Sequence, residues 1–404
     1  MNNKTAPLMI VLSRNYSTGL GIIRALGAAG YKVDLIASVK KKGSSVIASS
    51  SKYVNKCVEV LSPDIQNEDG SGILAVLKAY SLTQQEKMVL FPADDFTASI
   101  VFSNRDELKE HFLMPGISDN TTAEEFKLMD KMYQSSCAKN AGLFTPMEWK
   151  ISLETEILIP HDVIYPCFVK PLQSIHGSKN EMKMCNSEVD LELHLQKMKQ
   201  NFSNRSVLIQ EYLNIEKEYD LSGVVLGDKI IIPGIIEKKR ISKHENGVTM
   251  VGKMMSPQKF EKLMENIELF LGMFQYSGMF DMEFNVCGDK IYFNEINFRS
   301  GGPNYSYYLN GVNLPQIFVE WLMGQDVDHQ EVKIKEFGKT FVYEKVAWED
   351  YIYSHMTKAE LDRCINEADY TLLKDDSDPK PGQIFARRIR LSAMKQRVKK
   401  ILGK

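Results

Sequence analysis

Short apolar runs alternate with amphipathic stretches over the first 118 residues of the chain. The apolar runs 8–12 and 33–37 flank a helical stretch at 20–30, so together they predict a β-α-β unit. Further strands are predicted at 54–60 and 88–92, and further helices at 72–80 and 96–110. Because strands and helices alternate, we predict a parallel, doubly wound α/β sheet.

After a predicted helix at 122–141, the pattern changes to short β-rich segments, which predict an α+β region with mostly antiparallel pairing. The strands predicted there are 164–170, 181–185, 207–213, 219–226, 229–235, 278–286 and 290–296. Helical periodicity returns at 188–200 and 257–275. Gly288 and Asp289 form a turn signal between the last two strands, which predicts a hairpin.

A chain of 404 residues is too long for one ordinary core, so several domains are expected. The change of pattern predicts a Rossmann-like domain at 1–118 and a first α+β subdomain with its connecting helix at 119–206. A second α+β subdomain is predicted at 207–330, followed by a C-terminal extension at 331–404.

The composition is that of a soluble globular protein, with 44% apolar and 25% charged residues. A formal net charge of −2 predicts no general attraction to nucleic acid. The apolar run 8–12 is too short for a membrane span or a secretory leader, so we expect no transmembrane segment. The six cysteines are scattered, which argues against zinc and disulfides and favours a cytoplasmic location.

The end of the chain is strongly basic, because residues 386–404 contain eight Lys or Arg and no acid. This pattern predicts an amphipathic terminal helix with a solvated charged face. The alternative is a weak contact with a membrane surface or another anionic partner.

The predicted C-terminal hairpin carries the densest polar pattern of the chain. Glu295, Asn297 and Arg299 alternate along one strand and therefore share a face. Glu283 lies across the hairpin, and Asp281 shares its face as a reserve ligand. Two carboxylates and an amide oxygen suit Mg²⁺ (or Mn²⁺) that also binds phosphate oxygens. The alternative is a solvent-facing hairpin with a cross-strand salt bridge.

Lys170 ends an apolar strand, where its charge needs a partner that a phosphate group would supply. In the loop that follows, Ser174, Gly177 and Ser178 could turn backbone N–H groups toward phosphate oxygens. The spacing is not that of a Walker A loop. An ordinary hairpin turn is the alternative.

A strand that ends in Gln210 and Glu211 offers polar groups to a nucleotide. These groups and the backbone of Tyr212 and Leu213 could hold an adenine edge, and Glu218 could reach ribose hydroxyls. A surface strand with scattered acids is the alternative.

Taken in order, these residues resemble the ATP-grasp superfamily from about residue 1 to residue 325. In that superfamily two α+β subdomains clamp ATP behind an N-terminal Rossmann-like domain. The resemblance implies phosphate contacts for Lys131 and Lys170, adenine contacts for Glu211, Tyr212 and Leu213, a ribose contact for Glu218, magnesium at Glu283, Glu295 and Asn297, and an acyl-phosphate contact for Arg299. One departure is Phe298, which stands where family members commonly have proline.

Two groups of charged residues are candidates for substrate binding. Asp94 and Asp95 follow the fourth predicted strand, where ligands of open α/β sheets bind, and could hold an ammonium group. Asp94 could instead cap the helix that follows. Lys238, Lys239 and Arg240 could contact a γ-phosphate or a substrate carboxylate, or form a solvated charge run.

The turn after the first strand lacks a dinucleotide fingerprint, because Arg24 stands where the third glycine belongs. The same helix N-terminus could receive an anionic substrate group, with Arg14, Ser17 and Thr18 as candidates.

The resemblance implies an ATP-dependent carboxylate–amine ligase that forms an amide or peptide bond through an acyl phosphate. Lys170 and Arg299 would neutralise developing charge, and Gly301 would let a substrate approach the backbone. The expected partners are small-molecule carboxylates and amines, without nucleic acid, and a homodimer is compatible with the sequence. The alternatives are a bicarbonate-activating enzyme of the carbamoyl-phosphate or carboxylase type and a nucleotide-binding regulatory module without turnover.

Overall fold

The computed structural model describes residues 6–14, 16–62, 69–118, 125–172, 182–201, 206–245, 247–327 and 332–401. Within these ranges the strands form three sheets. Across the same residues, no helix is both long enough and apolar enough to cross a membrane.

The N-terminal sheet is parallel throughout, as the sequence predicts. Its strands are β1 (Met9–Ser13), β2 (Val33–Val39), β3 (Val54–Leu61), β4 (Met88–Pro92) and β5 (Phe112–Leu113). Their order among the described residues is β3-β2-β1-β4-β5, so the connections diverge between β1 and β4. Every residue of β1, β2 and β4 is buried, because this sheet is covered on both faces. Ligands of open α/β sheets bind where such connections diverge.

Helices pack on both faces of the parallel sheet. They are α1 (Tyr16–Ala28), α2 (Val46–Ser49), α3 (Ser71–Ser81), α4 (Asp95–Ser103) and α5 (Arg105–Leu108). Met9 and Val11 contact an apolar cluster that continues into the C-terminal helices, whereas Ile10 and Leu12 contact a second cluster shared with the hairpin. The helix predicted at 96–110 forms two helices in the structure, α4 and α5, which are separated at Asn104.

The connection to the next subdomain contains β6 (Gly116–Ile117), a short 3₁₀ helix (Glu125–Met129) and α6 (Lys131–Asn140). Asp130 caps α6 by accepting the Tyr133 N–H at 3.0 Å. This cap breaks the continuous helix predicted for 122–141, whose first residues lie outside the described ranges.

A small antiparallel sheet follows, in the order β7-β10-β8-β9. Its elements are β7 (Glu148–Ser152), β8 (Cys167–Pro171), β9 (Lys183–Cys185), α7 (Glu188–Asn201) and β10 (Ser206–Glu211). Trp149, Val169 and Leu191 belong to an apolar cluster confined to this part of the chain. The small sheet therefore has its own core.

The large sheet has the order β16-β15-β11-β13-β14-β17-β18, with β12 beside β11 and β6 beside β15. Its further elements are β11 (Lys217–Leu226), β12 (Lys229–Ile231), β13 (Ile235–Ile241), β14 (Thr249–Met255), α8 (Glu261–Gly272), β15 (Tyr276–Cys287), β16 (Lys290–Asn297), β17 (Thr340–Val342) and β18 (Tyr370–Thr371). The hairpin of β15 and β16 was predicted. The predicted strand 229–235 was wrong in extent, because β12 ends before Pro233 and β13 begins after it.

The C-terminal residues continue the body of the protein. β17 pairs with β14, so the large sheet extends across the predicted boundary at residue 331. The helices here are α9 (Asn304–Leu309), α10 (Leu314–Leu322), α11 (Glu344–Ile352), α12 (Lys358–Glu367) and α13 (Pro379–Ile401). Arg24 of α1 is 1% exposed and pairs with Asp378 at 3.0 Å, which fastens the last helix to the N-terminal domain.

Candidate functional site

A cavity of about 390 Å³ lies between the N-terminal domain and the large sheet, with Pro171 and Met182 of the small subdomain at its edge. The first turns of α1 and α4, which follow β1 and β4, contribute Ser17, Thr18 and Asp95. The sequence predicts a ligand site at the carboxyl ends of these two strands, and the cavity lies there.

The hairpin places two carboxylates directly opposite each other. Glu283 of β15 faces Glu295 of β16, and Asp281 faces Asn297 in the next position on the same side. A bulge at Asn294 sets this register, because β16 has one more residue here than β15. Like charges directly opposite on a sheet repel, so this pair requires a cation nearby.

Lys131 supplies one such cation. Its Nζ lies 2.9 Å from Glu295 Oε2, and Lys131 is the first residue of α6, whose position the cap at Asp130 holds. The charge of Lys131 lowers the pKa of Glu295 to about 2 despite burial. Burial alone would lower the pKa of Lys131, but the attraction of Glu295 raises it. Both groups are therefore charged at neutral pH.

Lys238 supplies a second cation and contacts three carboxylates. Its Nζ lies 3.3 Å from Glu218, 3.0 Å from Asp220 and 3.2 Å from Glu283. Burial alone would lower the pKa of Lys238, but Glu283, Asp220 and Glu218 raise it well above its usual value. Burial raises the pKa of Glu283, against the opposing effect of Lys238. Asp220 was not anticipated, although its position two residues after Glu218 on a strand is the signal that could have revealed it.

Lys170 differs from both. It lies on β8 opposite Leu208, is 5% exposed, and has no ion pair with any described residue. Burial, followed by repulsion from Lys131, lowers the pKa of Lys170 to about 8. A buried cation that forms no ion pair with the described residues, close to a cavity, is suited to an anionic ligand. The predicted phosphate loop, with Ser174, Gly177 and Ser178, lies outside the described residues.

Arg299 is held by the N-terminal domain. Its Nε lies 2.8 Å from Asp95 Oδ1 and its Nη2 lies 3.3 Å from Oδ2, while its Nη1 lies 4.0 Å from Asp281. Burial opposes the charge, but Asp95 and then Asp281 raise the pKa of Arg299. The carboxylate of Asp95, a candidate for holding a substrate ammonium, holds Arg299 in the structure, and an ammonium contact for Asp95 stays a prediction.

Asp94 takes the capping alternative. Its Oδ1 accepts the Thr97 N–H at 3.0 Å, and its Oδ2 accepts the Arg14 N–H at 2.7 Å. Both carboxylate oxygens thus have backbone donors, and an ammonium contact for Asp94 stays a prediction. The Arg14 guanidinium lies over the Phe96 ring at 4.3 Å, whereas the neighbouring candidates Ser17 and Thr18 line the cavity.

Two other predicted substrate residues, Arg240 and Gly301, are not among the described residues that line the cavity. A register shift after Lys238 turns Arg240 toward α12, where its Nη2 lies 3.3 Å from Glu360, in contrast to the prediction. Gly301 leaves room for a carboxylate rather than for a substrate, because a Cβ there would lie 2.0 Å from Asp281 Oδ1. Lys239 points outward and pairs with Glu237 at 3.2 Å.

The chain was compared with known proteins by sequence and by structure. No family model matches the chain. By sequence it is 24% identical over 295 residues to the carbamoyl phosphate synthase large chain of Sulfurisphaera tokodaii, covering 68% of this chain and 27% of that protein. It is 26% identical over 156 residues to a Campylobacter jejuni D-alanine–D-alanine ligase, covering 35% and 43%. The matches thus span less than half the length of these relatives.

Solved structures match over most of this chain. An L-amino acid ligase from Bacillus licheniformis aligns at a TM-score of 0.60 with 15% identity, covering 81% of this chain and 77% of that one. The N5-carboxyaminoimidazole synthetase of Staphylococcus aureus aligns at 0.57 with 16% identity, covering 86% of each chain. The biotin carboxylase domain of Hydrogenobacter thermophilus 2-oxoglutarate carboxylase, crystallised with MgADP and bicarbonate, aligns at 0.62 with 15% identity, covering 82% and 73%.

The chain has the ATP-grasp fold. The sequence and structure matches together indicate the ATP-grasp superfamily, with neighbours of both the ligase and the carboxylase type. The resemblance predicted from the residue order is thus confirmed at the level of the superfamily.

The predicted adenine side of the ATP-grasp fold lies at the end of β10. Gln210 Nε2 donates to Glu148 at 2.7 Å, so its side chain is directed along the small sheet. Glu211 Oε2 accepts the Met147 N–H at 3.1 Å. These contacts leave adenine binding by either side chain a prediction.

The backbone after Glu211 connects the two ATP-grasp sheets. The Tyr212 N–H donates to Pro166 O at 3.3 Å, and the Tyr212 side chain is 44% exposed. Leu213 makes no backbone hydrogen bond with the rest of the described chain. A contact of its amide and carbonyl with a base edge stays a prediction, whereas Glu218 is already paired with Lys238.

Phe298, the departure from the ATP-grasp pattern, belongs to the core. It is 2% exposed, its ring centroid lies 4.7 Å from that of Tyr276 and 4.9 Å from that of Phe274, and its carbonyl accepts the Tyr276 hydroxyl at 3.1 Å. Proline would lose this packing. The aromatic side chain therefore supports the end of β16 from behind, while Asn297 and Arg299 line the cavity.

Acidic residues outnumber basic residues around the cavity. Among the described lining residues, seven are acidic and three are basic: Asp94, Asp95, Asp220, Glu245, Asp281, Glu283 and Glu295 against Lys131, Lys238 and Arg299. Glu245 and the neighbouring Tyr343 were not anticipated, because they come from a turn and from the C-terminal extension. Such an excess of carboxylates favours cations as ligands.

ATP-grasp enzymes use ATP with magnesium, and the donor set here fits that ion. Glu283, Glu295 and Asn297 offer hard oxygen atoms on one side of the hairpin. In the described part of the chain, no group of three or more His, Cys, Asp or Glu side chains is placed to hold a metal unaided. Two carboxylates and an amide therefore suit an ion whose remaining ligands are phosphate oxygens and water.

Proposed function

We propose that this chain is an ATP-dependent ligase that joins a carboxylate to an amine through an acyl phosphate. The observation that carries the proposal is the opposition of Glu283 and Glu295 within one cavity that also contains Arg299. An exposed hairpin would not place two carboxylates and an arginine against a second domain.

The phosphate end of ATP is proposed to lie between the hairpin and Lys170. Lys170 is a buried cation with no ion pair among the described residues, and Lys131 stands close enough to repel it. A triphosphate would relieve that repulsion by neutralising both ammonium groups. Mg²⁺ would be held by Glu283, Glu295 and Asn297, where it would offset the charge on the phosphate oxygens.

The reaction itself asks little covalent chemistry of the protein. A carboxylate oxygen of the first substrate attacks the γ-phosphorus, the bond to the β,γ-bridging oxygen breaks, and ADP leaves. The amine then attacks the acyl carbon, loses a proton, and inorganic phosphate leaves. Arg299 would bind the oxygens that gain charge in both steps, and Asp95 fixes the direction of its guanidinium.

The test is release of phosphate from MgATP with organic carboxylates and amines, beginning with amino acids in pairs. A ligase should release phosphate efficiently only when both substrates are present. With hydroxylamine as the amine, the acyl phosphate should be trapped as a hydroxamate. Glu295→Gln serves as the matched inactive control. If the rate of phosphate release does not depend on either substrate in any combination, the proposal is contradicted.

A second candidate is activation of bicarbonate. It is favoured by the match to the carbamoyl phosphate synthase large chain over 68% of this chain, and by carboxylases among the structural neighbours. A bicarbonate enzyme would release phosphate with bicarbonate alone. It would also pass ¹⁸O from labelled bicarbonate to phosphate, whereas the proposed ligase would pass it from a labelled organic carboxylate.

A further inference from the structure

The last helix has a second apolar side that the body of the protein does not cover. Phe385 and Ile389 of α13 are each 7% exposed and pack against the core. Leu391 and Met394 are 59% and 63% exposed. Leu391 lies about 200° around the helix from Ile389, and Met394 lies within about 60° of Leu391. The two exposed side chains therefore form a pair on the side opposite the core.

Basic residues surround this pair, and Arg387 lies one turn before Leu391 on the same side of the helix. Arg387, Arg388 and Arg390 are exposed, and no acid occurs anywhere in residues 386–404. Arg390 lies about 100° to one side of Leu391 and Arg388 about 60° to the other. Exposed apolar side chains among arginines can enter a membrane interface while the long arginine side chains reach the head groups.

A second basic segment lies beside the helix, although it is far away in sequence. The turn after β2 exposes Lys40, Lys41 and Lys42. Arg388 Nη2 donates to the Gly43 carbonyl at 3.4 Å, which places this turn against α13. The nearby acid Glu59 already accepts the backbone N–H of Gly43 at 2.6 Å.

We propose that this surface, formed by Lys40–Lys42 and the exposed side of α13 from Arg387 to Met394, binds an anionic phospholipid bilayer. The exposed apolar side chains would enter the acyl boundary, and the flanking cations would contact the head groups. The chain as a whole has a formal charge of −2, so the positive charge is local to this surface.

Two other occupants fit less well. A second copy of the same helix would bring two sets of arginines together, and like charges at an interface are unfavourable. A soluble polyanion would use the cations but would leave Leu391 and Met394 in water. The lipid surface is the occupant that uses both features.

The experiment is flotation of the full chain with phosphatidylcholine vesicles, with and without phosphatidylglycerol. We expect binding only to the anionic vesicles and release by raised NaCl, because salt screens the head-group attraction. Leu391→Ala and Met394→Ala should each weaken binding roughly tenfold. Lys40→Gln, Lys41→Gln and Lys42→Gln should each weaken it roughly fivefold.

The matched control is Leu269→Ala on α8, because Leu269 is 61% exposed but lies on an acidic helix. It should leave vesicle binding unchanged. All substituted positions are exposed, so thermal melting should be unaffected, and the test needs no enzymatic turnover. Its outcome is therefore independent of the proposed ligase activity.

Three results would overturn the proposal. The first is equal flotation with neutral vesicles or none with anionic ones. The second is vesicle binding that is unchanged by substitution of Lys40–Lys42 and also persists in the double variant Leu391→Ala/Met394→Ala. The third is concentration-dependent dimerisation in sedimentation that these two variants abolish without any vesicle binding, which would assign the surface to a second copy.

Discussion

Lys170 should make the nucleotide-free protein less stable, and its removal should therefore stabilise the fold while weakening ATP binding. The perturbation is Lys170→Met, which keeps the apolar length of a side chain that is 5% exposed. The variant removes a buried charge that has no ion pair in the described chain. The expected gain in stability is the unusual part of this prediction, because most substitutions of buried residues destabilise.

The magnitude follows from the pKa. Burial and repulsion from Lys131 lower the pKa of Lys170 from 10.5 to about 8. At about 1.4 kcal/mol per pKa unit, the charged form costs the folded state about 3 kcal/mol at pH 7. The unfolded chain binds more protons than the folded one between pH 8 and 10.5, so wild-type stability from this group rises with pH across that window. At pH 9.5 the cost should fall to about half.

The assay is thermal unfolding without nucleotide at pH 7 and pH 9.5, together with calorimetry of MgADP binding. Lys170→Met should unfold several degrees above the wild type at pH 7, and this difference should shrink at pH 9.5. Wild-type affinity for MgADP should fall as pH rises through 8, because the neutral amine cannot balance phosphate. In the variant that pH dependence should be absent and the affinity roughly tenfold lower.

Lys131→Met is the matched control, because it makes the same change at the neighbouring buried lysine. Lys131 is paired with Glu295 at 2.9 Å, so its removal should lower the melting temperature. The two variants should therefore shift stability in opposite directions at pH 7. If Lys170→Met destabilises as Lys131→Met does, Lys170 has a counter-ion in the folded protein and the reasoning from burial is refuted.

Three further predictions concern the charged groups of the cavity. Asp95→Asn should release Arg299 and lower kcat about tenfold or more while MgADP affinity by calorimetry stays within about twofold; a large loss of nucleotide affinity would instead place Arg299 in the nucleotide site. Glu295→Gln should abolish turnover while ATP still binds weakly, and wild-type rates at saturating Mg²⁺ would disprove its role as a ligand. Lys238→Met should lower the melting temperature by the equivalent of about 3–5 kcal/mol, because three carboxylates lose their shared cation; added Mg²⁺ should restore part of that loss, and no effect of Mg²⁺ would argue against a metal near Glu283.

The contact of Asp95 with Arg299 joins two parts of the chain that are far apart in sequence. The two residues are 204 positions apart and belong to the N-terminal domain and the large sheet. The N-terminal domain therefore fixes a group of the proposed reaction centre in addition to forming a wall of the cavity. Any movement between the two parts would displace the guanidinium from the position proposed for the acyl phosphate.

The sequence by itself determined the features that depend on local periodicity. Alternation along a strand places residues two apart on one face, so the shared side of Glu295, Asn297 and Arg299 could be predicted without a fold. A second local pattern, the alternation of short apolar runs with helices, predicted the parallel sheet, because such segments have few ways to pack.

Only the tertiary structure decided which charged groups meet. A bulge is a one-residue irregularity that no periodic pattern records, and one bulge turns Arg240 away from Lys238 while another aligns Glu295 with Glu283. The partner of Asp95 depended equally on how two distant segments pack.

The C-terminal residues show the same limit. β17 has three residues, too few for any periodicity, so its addition to the large sheet could not be seen in the sequence. The lysines after β2 could not be placed beside α13 either, because that contact joins segments that are far apart in the sequence. Local patterns determine which face a side chain occupies, whereas long-range packing determines what that face meets, and the chemistry of this site depends on both.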